Sequence, residues 1–511
     1  MIDTKLLRQK ILDLAIRGKL VPQDPNDEPA SELLKKIKAE KEALIKAGKL
    51  KRDKHESFIF RGDDKRYYEQ VDDKIVDITK EIPFDLPDGW AWCRLKNLCS
   101  LITDGTHQTP EYSGNGYVFL SSTNVTSGRI DWTNVKYIPE KLHQELYSKL
   151  RPQKGDILLA KNGTIGCAAI VDRQTVFDIY VSLALIRPYS VAVNVDYLHR
   201  IIGSPSIQLY FSGEKKGIGL YNLHLENIRN TPIPLPPLSE QKRIVTQIER
   251  LLQCVDEIDR ESETLEKSIA LAKQKILDLA IRGKLVPQDP KDEPASELLK
   301  KIKAEKEALI KAGKLKRDKH ESFIFRGDDN CYYEQIDGKT VEISSEIPFD
   351  LPNGWVWCRL DCIAEICDNL RKPVNGEERQ KRIQKAKKLY PYYGATGQVG
   401  WIDDFISDGE FVLLGEDGAP FLDRCSTKAY IIRDRAWVNN HAHVLRGINN
   451  QFLCHCLNTV DYSSFVTGTT RYKLTQAEMI KILLPLPPLA EQQRIVEIIA
   501  QYNSILGAIS E

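Results

Sequence analysis

The most constraining feature of the sequence is a long internal repeat. Residues 9–95 recur as 274–360, an offset of 265 residues at which about 76 of the 87 paired positions are identical. A second match, PLPPLSEQKRIV at 234–245 and PLPPLAEQQRIV at 485–496, has an offset of 251. Such a period is far longer than that of a solenoid repeat. It predicts two globular domains mounted on duplicated connectors.

The segments between the repeated blocks, 96–230 and 361–480, are barely alike. We call the domains that contain these two variable segments the heads. Two different heads on nearly identical connectors suit a protein that performs one task on two different targets. A length of 511 residues also exceeds one compact core and indicates two or three domains. We predict an N-terminal connector at 1–89, a first head at 90–237, a central connector at 238–354, a second head at 355–488 and a C-terminal connector helix at 489–511.

The segment after the first PLPPL motif has apolar residues at alternating spacings of four and three. This heptad pattern predicts a coiled-coil helix over residues 238–283. Both chain ends continue the pattern, so we expect the terminal helices to pack antiparallel on the central helix, with internal pseudo-two-fold, circular symmetry. The alternative is a single amphipathic helix on a globular domain. The predicted seam residues are Ile244, Ile248, Leu251, Val255, Ile258, Leu265, Ile269, Ile276 and Leu279 centrally, with Ile495, Ile499, Leu506, Ile509, Leu7, Ile11 and Leu14 at the chain ends.

A second helical stretch, SELLKKIKAEKEALIKAG, begins at Ser31 and again at Ser296. Residues 35–54 contain nine basic and three acidic side chains. This surface could bind phosphates or an acidic partner protein. A solvated face without a partner is an equally good interpretation.

Each head opens with two tryptophans spaced two residues apart, Trp90 and Trp92 or Trp355 and Trp357. That spacing predicts a strand with both rings on one face, anchoring the core. Short apolar runs such as YVFLSSTNV, GDILLAKNGTIGCAAIV and GEFVLLGEDGAP predict strands joined by tight turns. Short helical patterns lie between them, so both heads are predicted to be mixed α/β (α+β) modules.

The second head contains a basic segment, Arg371 to Lys388, with eight basic and two acidic residues. The segment PYYGATGQVGW follows it closely, and basic runs beside aromatic residues and glycines are typical of nucleic-acid contact loops. We expect Arg371 and Arg379 to read guanine edges and the lysines to hold phosphates.

The first head has a polar but not basic loop, DGTHQTPEYSGNGY, at the matching place, and its positive charge comes later. Near the end of each head, GIGLYNL and GTTRYKL align at offset 251. The shared turn indicates either a shared contact or a plain turn before the last strand. The candidate contact residues are Thr106, His107, Lys161, Asn162, Lys215, Lys216, Tyr221 and Asn222 in head 1, and Arg371, Lys372, Arg379, Lys381, Arg382, Tyr392, Tyr393, Arg471, Tyr472 and Lys473 in head 2.

Signatures of catalysis and of membrane insertion are missing from the sequence. It has no Gly-x-x-x-x-Gly-Lys-Ser/Thr loop, no Gly-x-Gly-x-x-Gly and no apolar run of about 20 residues. The eleven cysteines do not have the paired spacing of zinc ligands. We interpret these cysteines, and also His441 and His443, as structural residues rather than metal ligands. A net charge of +1 excludes binding of polyanions through bulk charge but not through local patches. We expect a non-catalytic, cytoplasmic protein without a cofactor or metal of its own.

The combination of LP(D/N)GW(A/V)W-x-R-L opening each head and PLPPL(S/A)EQ(K/Q)RIV closing it resembles the specificity subunit of type I restriction–modification systems. The likeness covers essentially the whole chain. It implies that each head reads one half of a split double-stranded DNA target and that the coiled coils set the gap. It also implies two methyltransferase subunits as partners and, through them, the restriction subunits. S-adenosylmethionine, ATP and Mg²⁺ would belong to those partners.

Two other classes of function compete with this interpretation. A single-chain methylase or nuclease would need a cofactor loop, which the sequence lacks. A coiled-coil scaffold that binds only proteins has no need for unlike heads on matched mounts. The near-identical 87-residue blocks are longer than a bare connector, and we interpret them as docking surface for the methyltransferase subunits. Recent duplication without a special function is the alternative.

Overall fold

The computed structural model describes residues 2–52, 56–213, 222–313, 322–336 and 338–510, with residue 510 described by its backbone alone. The described residues fall into two compact units. The N-terminal unit is Ile2–Glu261, and the C-terminal unit begins at Ser262. Each unit contains one copy of the 87-residue repeat and one variable head.

The N-terminal unit combines helices with short strands. Its helices are α1 Thr4–Ile16, α2 Ala30–Lys46, α3 Glu140–Lys149, α4 Val195–Ile202, α5 Pro205–Gly213, α6 Leu225–Asn230 and the first part of α7 Leu238–Ile281. Its strands are β1 Ser57–Arg61, β2 Tyr67–Val71, β3 Lys74–Asp77, β4 Ala91–Arg94, β5 Cys99–Asp104, β6 Tyr117–Leu120, β7 Lys136–Ile138, β8 Ile157–Ala160, β9 Ala168–Ile170, β10 Phe177–Ile179, β11 Leu183–Pro188 and β12 Pro232–Leu235.

The C-terminal unit contains the end of α7 and a similar mixture. Its other helices are α8 Ala295–Lys311, α9 Leu360–Ile363, α10 Gly376–Lys385, α11 Asn450–Leu457, α12 Gln476–Met479 and α13 Leu489–Ser510. Its strands are β13 Ser322–Arg326, β14 Tyr332–Ile336, β15 Lys339–Glu342, β16 Val356–Arg359, β17 Ala364–Ile366, β18 Tyr390–Tyr393, β19 Gln398–Ile402, β20 Ser407–Asp408, β21 Phe411–Gly415, β22 Ala429–Ile432, β23 Arg435–Val438, β24 Ala442–Gly447, β25 Val466–Thr467, β26 Lys473–Leu474 and β27 Leu483–Leu486.

The first and last strands of each head pair with one another. Strand β4 lies antiparallel to β12, and β16 lies antiparallel to β27. The prolines after each closing strand end the pairing because proline has no N–H to donate. Helix α7 then begins at Leu238 and ends at Ile281, which confirms the predicted helix. Gly283, just beyond the end, has a φ of +62°, a conformation that glycine adopts without strain.

Both heads are mixed α/β modules, as predicted. Each head contains its own four-stranded sheet, and the two sheets have equivalent strand orders, so we call each of them the shared sheet. The strand order is β5-β11-β8-β9 in head 1 and β17-β24-β21-β22 in head 2. Strands β6, β8, β9 and β21 lie in the apolar runs that predicted them, and α4 and α11 lie in the predicted helical segments. The second sheets differ: β10-β6-β7 in head 1 and β19-β18-β23-β20 in head 2.

The repeated block also folds alike in both units. The predicted basic helix forms α2 and α8, each beginning one residue before the predicted serine. A three-stranded antiparallel sheet follows in each copy, β1-β2-β3 and β13-β14-β15. We call this sheet the connector sheet.

A buried glutamate at the start of each long helix joins connector and head. Glu240 is 1% exposed, and its two carboxylate oxygens accept hydrogen bonds from Gln23 Nε2 (3.1 Å) and Trp90 Nε1 (2.9 Å). In the second copy, Glu491 accepts from Gln288 (3.1 Å) and Trp355 (3.0 Å). Burial raises the pKa of both glutamates against the effect of these donors.

Helix α1 runs antiparallel to the first part of α7, as the heptad pattern predicts. Arg8 forms ion pairs with Asp256 (2.7 Å) and Asp259 (2.8 Å), whereas Gln23, further along the chain, contacts Glu240 near the start of α7. In the C-terminal unit, α13 and the end of α7 contribute to one apolar cluster.

Burial of the predicted seam is incomplete. Leu265 and Ile509 are 42% and 51% exposed, contrary to the expectation of a continuous apolar seam. Thr4, the first residue of α1, already contacts Asp259, so α1 does not extend along α7 beyond that region. The seam residues Ile244, Ile248, Val255, Ile269, Ile495, Ile499 and Ile11 are buried, and Leu251, Ile258, Ile276, Leu279, Leu506, Leu7 and Leu14 are half-buried.

The tryptophan pairs do not anchor one common core. Trp90 packs against the main core of its head, whereas Trp92 packs against Phe84 and the connector sheet. Trp355 and Trp357 divide in the same way. The reason is that each strand begins after the first tryptophan of its pair, where the chain still follows the preceding turn.

A buried ion pair locks the connector sheet to the base of each head. Arg94 on β4 donates to Glu69 on β2 through Nε (3.0 Å) and Nη2 (2.6 Å), and Nη1 donates to the carbonyl of Asn230 (2.8 Å). Arg359 and Glu334 repeat the pair at 3.0 and 2.6 Å. Because one guanidinium contacts the connector sheet and the end of the head, it couples both to the opening strand.

We expect Glu69→Ala to lower the free energy of unfolding by about 3 kcal/mol, because it leaves the Arg94 charge buried without this partner. Urea denaturation would measure it. The control is Glu32→Ala, which removes an exposed ion pair with Lys35 and should cost less than about 1 kcal/mol. Equal effects of the two substitutions would contradict a structural role for the buried pair.

The same pair predicts a pH dependence. Burial raises the pKa of Glu69, but the hydrogen bond and charge of Arg94 outweigh it and lower the pKa below 4.5. The pair therefore contributes its stability fully above the unfolded value and loses it as pH falls through the folded pKa. We expect the difference in unfolding free energy between wild type and Glu69→Ala to shrink between about pH 7 and about pH 3. A difference that stays constant over this range would exclude the linkage.

Candidate nucleic-acid interface

The shared sheet ends in the same backbone arrangement in both heads. Lys161 follows β8 and Glu416 follows β21, at equivalent places in the two sheets. The carbonyl of Lys161 accepts a hydrogen bond from Leu223 N (2.9 Å), and the carbonyl of Glu416 accepts one from Leu474 N (2.7 Å). The last segment of each head thus returns to the same sheet edge.

The next residue along each strand end makes the same β-bridge. Asn162 bridges to Asn222 in head 1, and Asp417 bridges to Lys473 in head 2. Asn222 and Lys473 are the residues that align at offset 251. The structure therefore brings the sheet edge together with the end of the aligned segment that the sequence singled out. In head 1, residues 217–221 of that segment, including Tyr221, lie outside the described residues.

In head 1, an ion pair lies beneath this edge. Lys161 Nζ contacts Asp104 Oδ2 at 2.5 Å, and the Lys161 side chain is only 5% exposed. The DNA contact of Lys161 stays a prediction, and the burial and pairing of its charge argue against it. Asp104 also lies 3.4 Å from Nε2 of the exposed His107, so one carboxylate joins two of the candidates.

In head 2, the ion pair has the opposite polarity at the sheet end. Glu416 occupies the place of Lys161 and contacts Arg371. Arg371 also contacts Asp368 Oδ2 (3.0 Å) and the carbonyl of Ala442 (3.3 Å), and its side chain is 19% exposed. The guanine contact of Arg371 stays a prediction, and the internal acceptors that take its donors argue against it.

Asp368 links this ion pair to the interior of the sheet. It accepts from His443 Nδ1 at 2.8 Å, and His443 Nε2 lies 3.0 Å from the carbonyl of Leu474. Burial raises the pKa of Asp368, but His443, the backbone N–H of Val444 and Arg371 lower it by more, so its pKa lies below the ordinary value. A charged carboxylate thus fixes the start of the basic segment, and His443 is a structural strand residue, as predicted.

The basic segment of head 2 forms helix α10, and two of its arginines lie on aromatic rings. Arg379 is 4.8 Å from the ring centre of Tyr392, and Arg382 is 4.7 Å from that of Trp437. Arg382 also donates to Asp403 at 2.6 Å. These contacts orient the helix on its sheet and reduce the freedom of both arginines.

The remaining candidates differ in exposure. Within the described residues, Thr106, Asn162, Tyr393 and Tyr472 are half-buried, Tyr392 is buried, and His107, Asn222, Lys372, Lys381, Arg471 and Lys473 are exposed. Lys215, Lys216 and Tyr221 lie outside the described residues. Of the exposed candidates, four lie at the edge described above: Asn222 and Lys473 in the β-bridges, Arg471 beside Asp417 and His107 beside Asp104.

Sequence reasoning missed four carboxylates: Asp104, Asp368, Glu416 and Asp417. They pair with candidate basic residues and decide which of those are available. The signal available in the sequence was position, because each of them lies at or just after the end of an apolar strand.

The described residues contain no group of three or more His, Cys, Asp or Glu side chains that could hold a metal ion. All eleven cysteines are free thiols. Within the same ranges, no helix has the length and apolar character required to cross a membrane.

Comparison with known proteins identifies a family and relatives to which this chain is similar. A family model described as "Type I restriction modification DNA specificity domain" matches residues 87–267 and 352–510. The chain is 29% identical to the EcoAI specificity subunit of Escherichia coli, over 96% of this chain and 87% of the relative. It is 34% identical to the EcoEI specificity subunit of the same organism, over 72% and 62%.

A solved structure supports the fold. It is described as "Structural basis underlying complex assembly and conformational transition of the type I R-M system". Its TM-score is 0.52 at 18% identity, with 84% of this chain and 93% of the other covered. Specificity subunits are non-catalytic components of type I systems, in agreement with the expectation that this chain is not an enzyme. Because the family model matches two regions of the chain and its relatives are specificity subunits, the chain belongs to the family of type I restriction–modification specificity subunits.

Proposed function

We propose that the chain is the DNA-reading subunit of a type I restriction–modification complex, in which each head reads one half of a two-part, asymmetric target. The observation that carries this is the shared sheet edge. The two heads have the same strand order and the same β-bridge there, but different side chains. A constant backbone with variable exposed side chains suits two recognition surfaces of different sequence preference.

The connectors set the distance between the half-sites and dock two methyltransferase subunits, through which the restriction subunits join. Two near-identical connector blocks support two identical partners. Both blocks expose an aromatic residue on the connector sheet, Phe58 and Phe323, each 53% exposed. S-adenosylmethionine, ATP and Mg²⁺ would be bound by the partners. The free thiols suit the reducing cytoplasm as the place of action.

Exchange of a head tests the proposal. We expect replacement of residues 361–480 by the equivalent segment of another specificity subunit to change one half of a split methylated motif and leave the other half intact. Methylome sequencing of cells that also express the cognate methyltransferase would show it. The matched control replaces 274–360 by the other copy of the repeat, 9–95, and should leave the motif unchanged. Methylation that does not depend on this chain would contradict DNA reading.

A single exposed lysine gives a second test. Lys372 is exposed and follows Arg371, and its backbone N–H donates to the carbonyl of Val438 (2.9 Å). If it contacts a phosphate, Lys372→Ala should weaken binding of the assembled complex to all sequences alike and reduce the slope of log K against log salt by about 1. Lys481→Ala is the control, because Lys481 is exposed but lies beside Arg359 at the base of the head. A salt slope unchanged by Lys372→Ala would exclude the phosphate contact.

A further inference from the structure

We infer that Arg471 is the side chain with which head 2 reads a guanine and that Asp417 is the positioning residue that holds it. This inference rests on the proposed function and names the specificity-determining residue of one recognition surface. The chemistry it requires is two hydrogen-bond acceptors on one base edge, which guanine presents through O6 and N7 in the major groove.

Arg471 is exposed and held at one side only. Its side chain is 60% exposed, and Nε lies 2.6 Å from Asp417 Oδ1. This contact involves Nε, whereas the guanidinium has further N–H donors on its terminal nitrogens. A carboxylate beside Nε therefore restricts the guanidinium while its terminal donors remain suited to a base edge.

The backbone around Arg471 is shaped for this placement. Arg471 lies in the tight turn between β25 and β26, where Gly468 has a φ of +100°. A Cβ on Gly468 would lie 2.4 Å from the carbonyl oxygen of Arg471, so only glycine allows this turn. Gly418 lies under the Arg471 side chain, since a Cβ there would lie 3.4 Å from Nε.

The backbone that carries the supporting carboxylate is hydrogen-bonded: Asp417 N donates to the carbonyl of His441 (3.4 Å) and Gly418 N to that of Tyr472 (3.0 Å). Asp417 Oδ2 lies 3.5 Å from Nδ1 of His441, and its backbone bridges to Lys473. Lys473 is 53% exposed, and its Nζ lies 3.5 Å from Glu416. A side chain held in place before binding loses less conformational entropy when it binds. The arrangement thus combines one fixed fork-shaped donor with a neighbouring positive charge.

The arginines of the basic segment fit this role less well. Internal acceptors take the donors of Arg371, and Arg382 is paired with Asp403 and lies on a tryptophan ring. Arg379 is half-buried over the Tyr392 ring. Arg471 combines high exposure, a supporting carboxylate and a place on the shared sheet edge.

The test is the methylated motif produced by the full chain with its methyltransferase subunits. We expect Arg471→Ala to relax one guanine position in one half-site to any base, with discrimination at that position reduced about 5- to 150-fold. Arg471→Lys should relax it too, because an ammonium cannot donate as a fork. Arg433→Ala is the matched control. Arg433 Nε lies 3.0 Å from Glu410 and its side chain is 59% exposed, but the pair lies at the opposite end of β21.

The substitution Asp417→Asn tests whether Asp417 orients the Arg471 side chain, separately from the contact that Arg471 makes with the base. It keeps the size of the side chain but removes its charge, so we expect partial relaxation at the same position with an unchanged thermal unfolding midpoint. A lower midpoint with an unchanged motif would make Asp417 merely structural and overturn its role.

The remaining outcomes distinguish this inference from the proposed function. An unchanged motif in Arg471→Ala overturns the guanine contact while DNA reading by the chain stands. A uniform loss of methylation at every site also overturns it, because that result indicates a phosphate contact. If methylation is independent of the whole chain, the proposed function itself fails, and the inference fails with it.

Discussion

The antiparallel pairing of the first and last strands of each head is the constraint on which the rest of the structure depends. Because β4 pairs with β12, and β16 with β27, the chain enters and leaves each head at one place. Everything between these strands can change without moving the connector. This explains how 96–230 and 361–480 can differ so strongly while the blocks on either side remain nearly identical.

Buried charges secure that strand pair to the connector. Arg94 and Arg359 join the opening strand to the connector sheet, and Glu240 and Glu491 join the start of each long helix to a tryptophan. Buried charged groups are stable only when their partners are in place. A head that is not seated on its connector would leave these groups unpaired, so the contacts favour one defined seating.

Each head has an ion pair at the end of the shared sheet, and the two ion pairs have opposite polarity. At the shared sheet end, Lys161 pairs with Asp104 in head 1, whereas Glu416 pairs with Arg371 in head 2. Either pair neutralises the buried site, so the backbone stays the same. The residues beyond it differ: the bridge pairs Asn162 with Asn222 in one head and Asp417 with the charged Lys473 in the other. Neutral amides and charged groups recognise different base edges, which suits half-sites of different sequence.

The sequence by itself determined the repeat, the long helix, the mixed α/β class, the main strands and the absence of a catalytic signature. These features follow from local patterns: heptad spacing, short apolar runs and glycine or proline breaks. Tertiary structure decided which basic residues are available. Lys161 and Asp104 are 57 residues apart, and Arg371 and Glu416 are 45 apart. No local pattern reveals such partners, because only the folded sheet brings them within ion-pair distance, where burial and pairing remove two predicted contact residues from the surface.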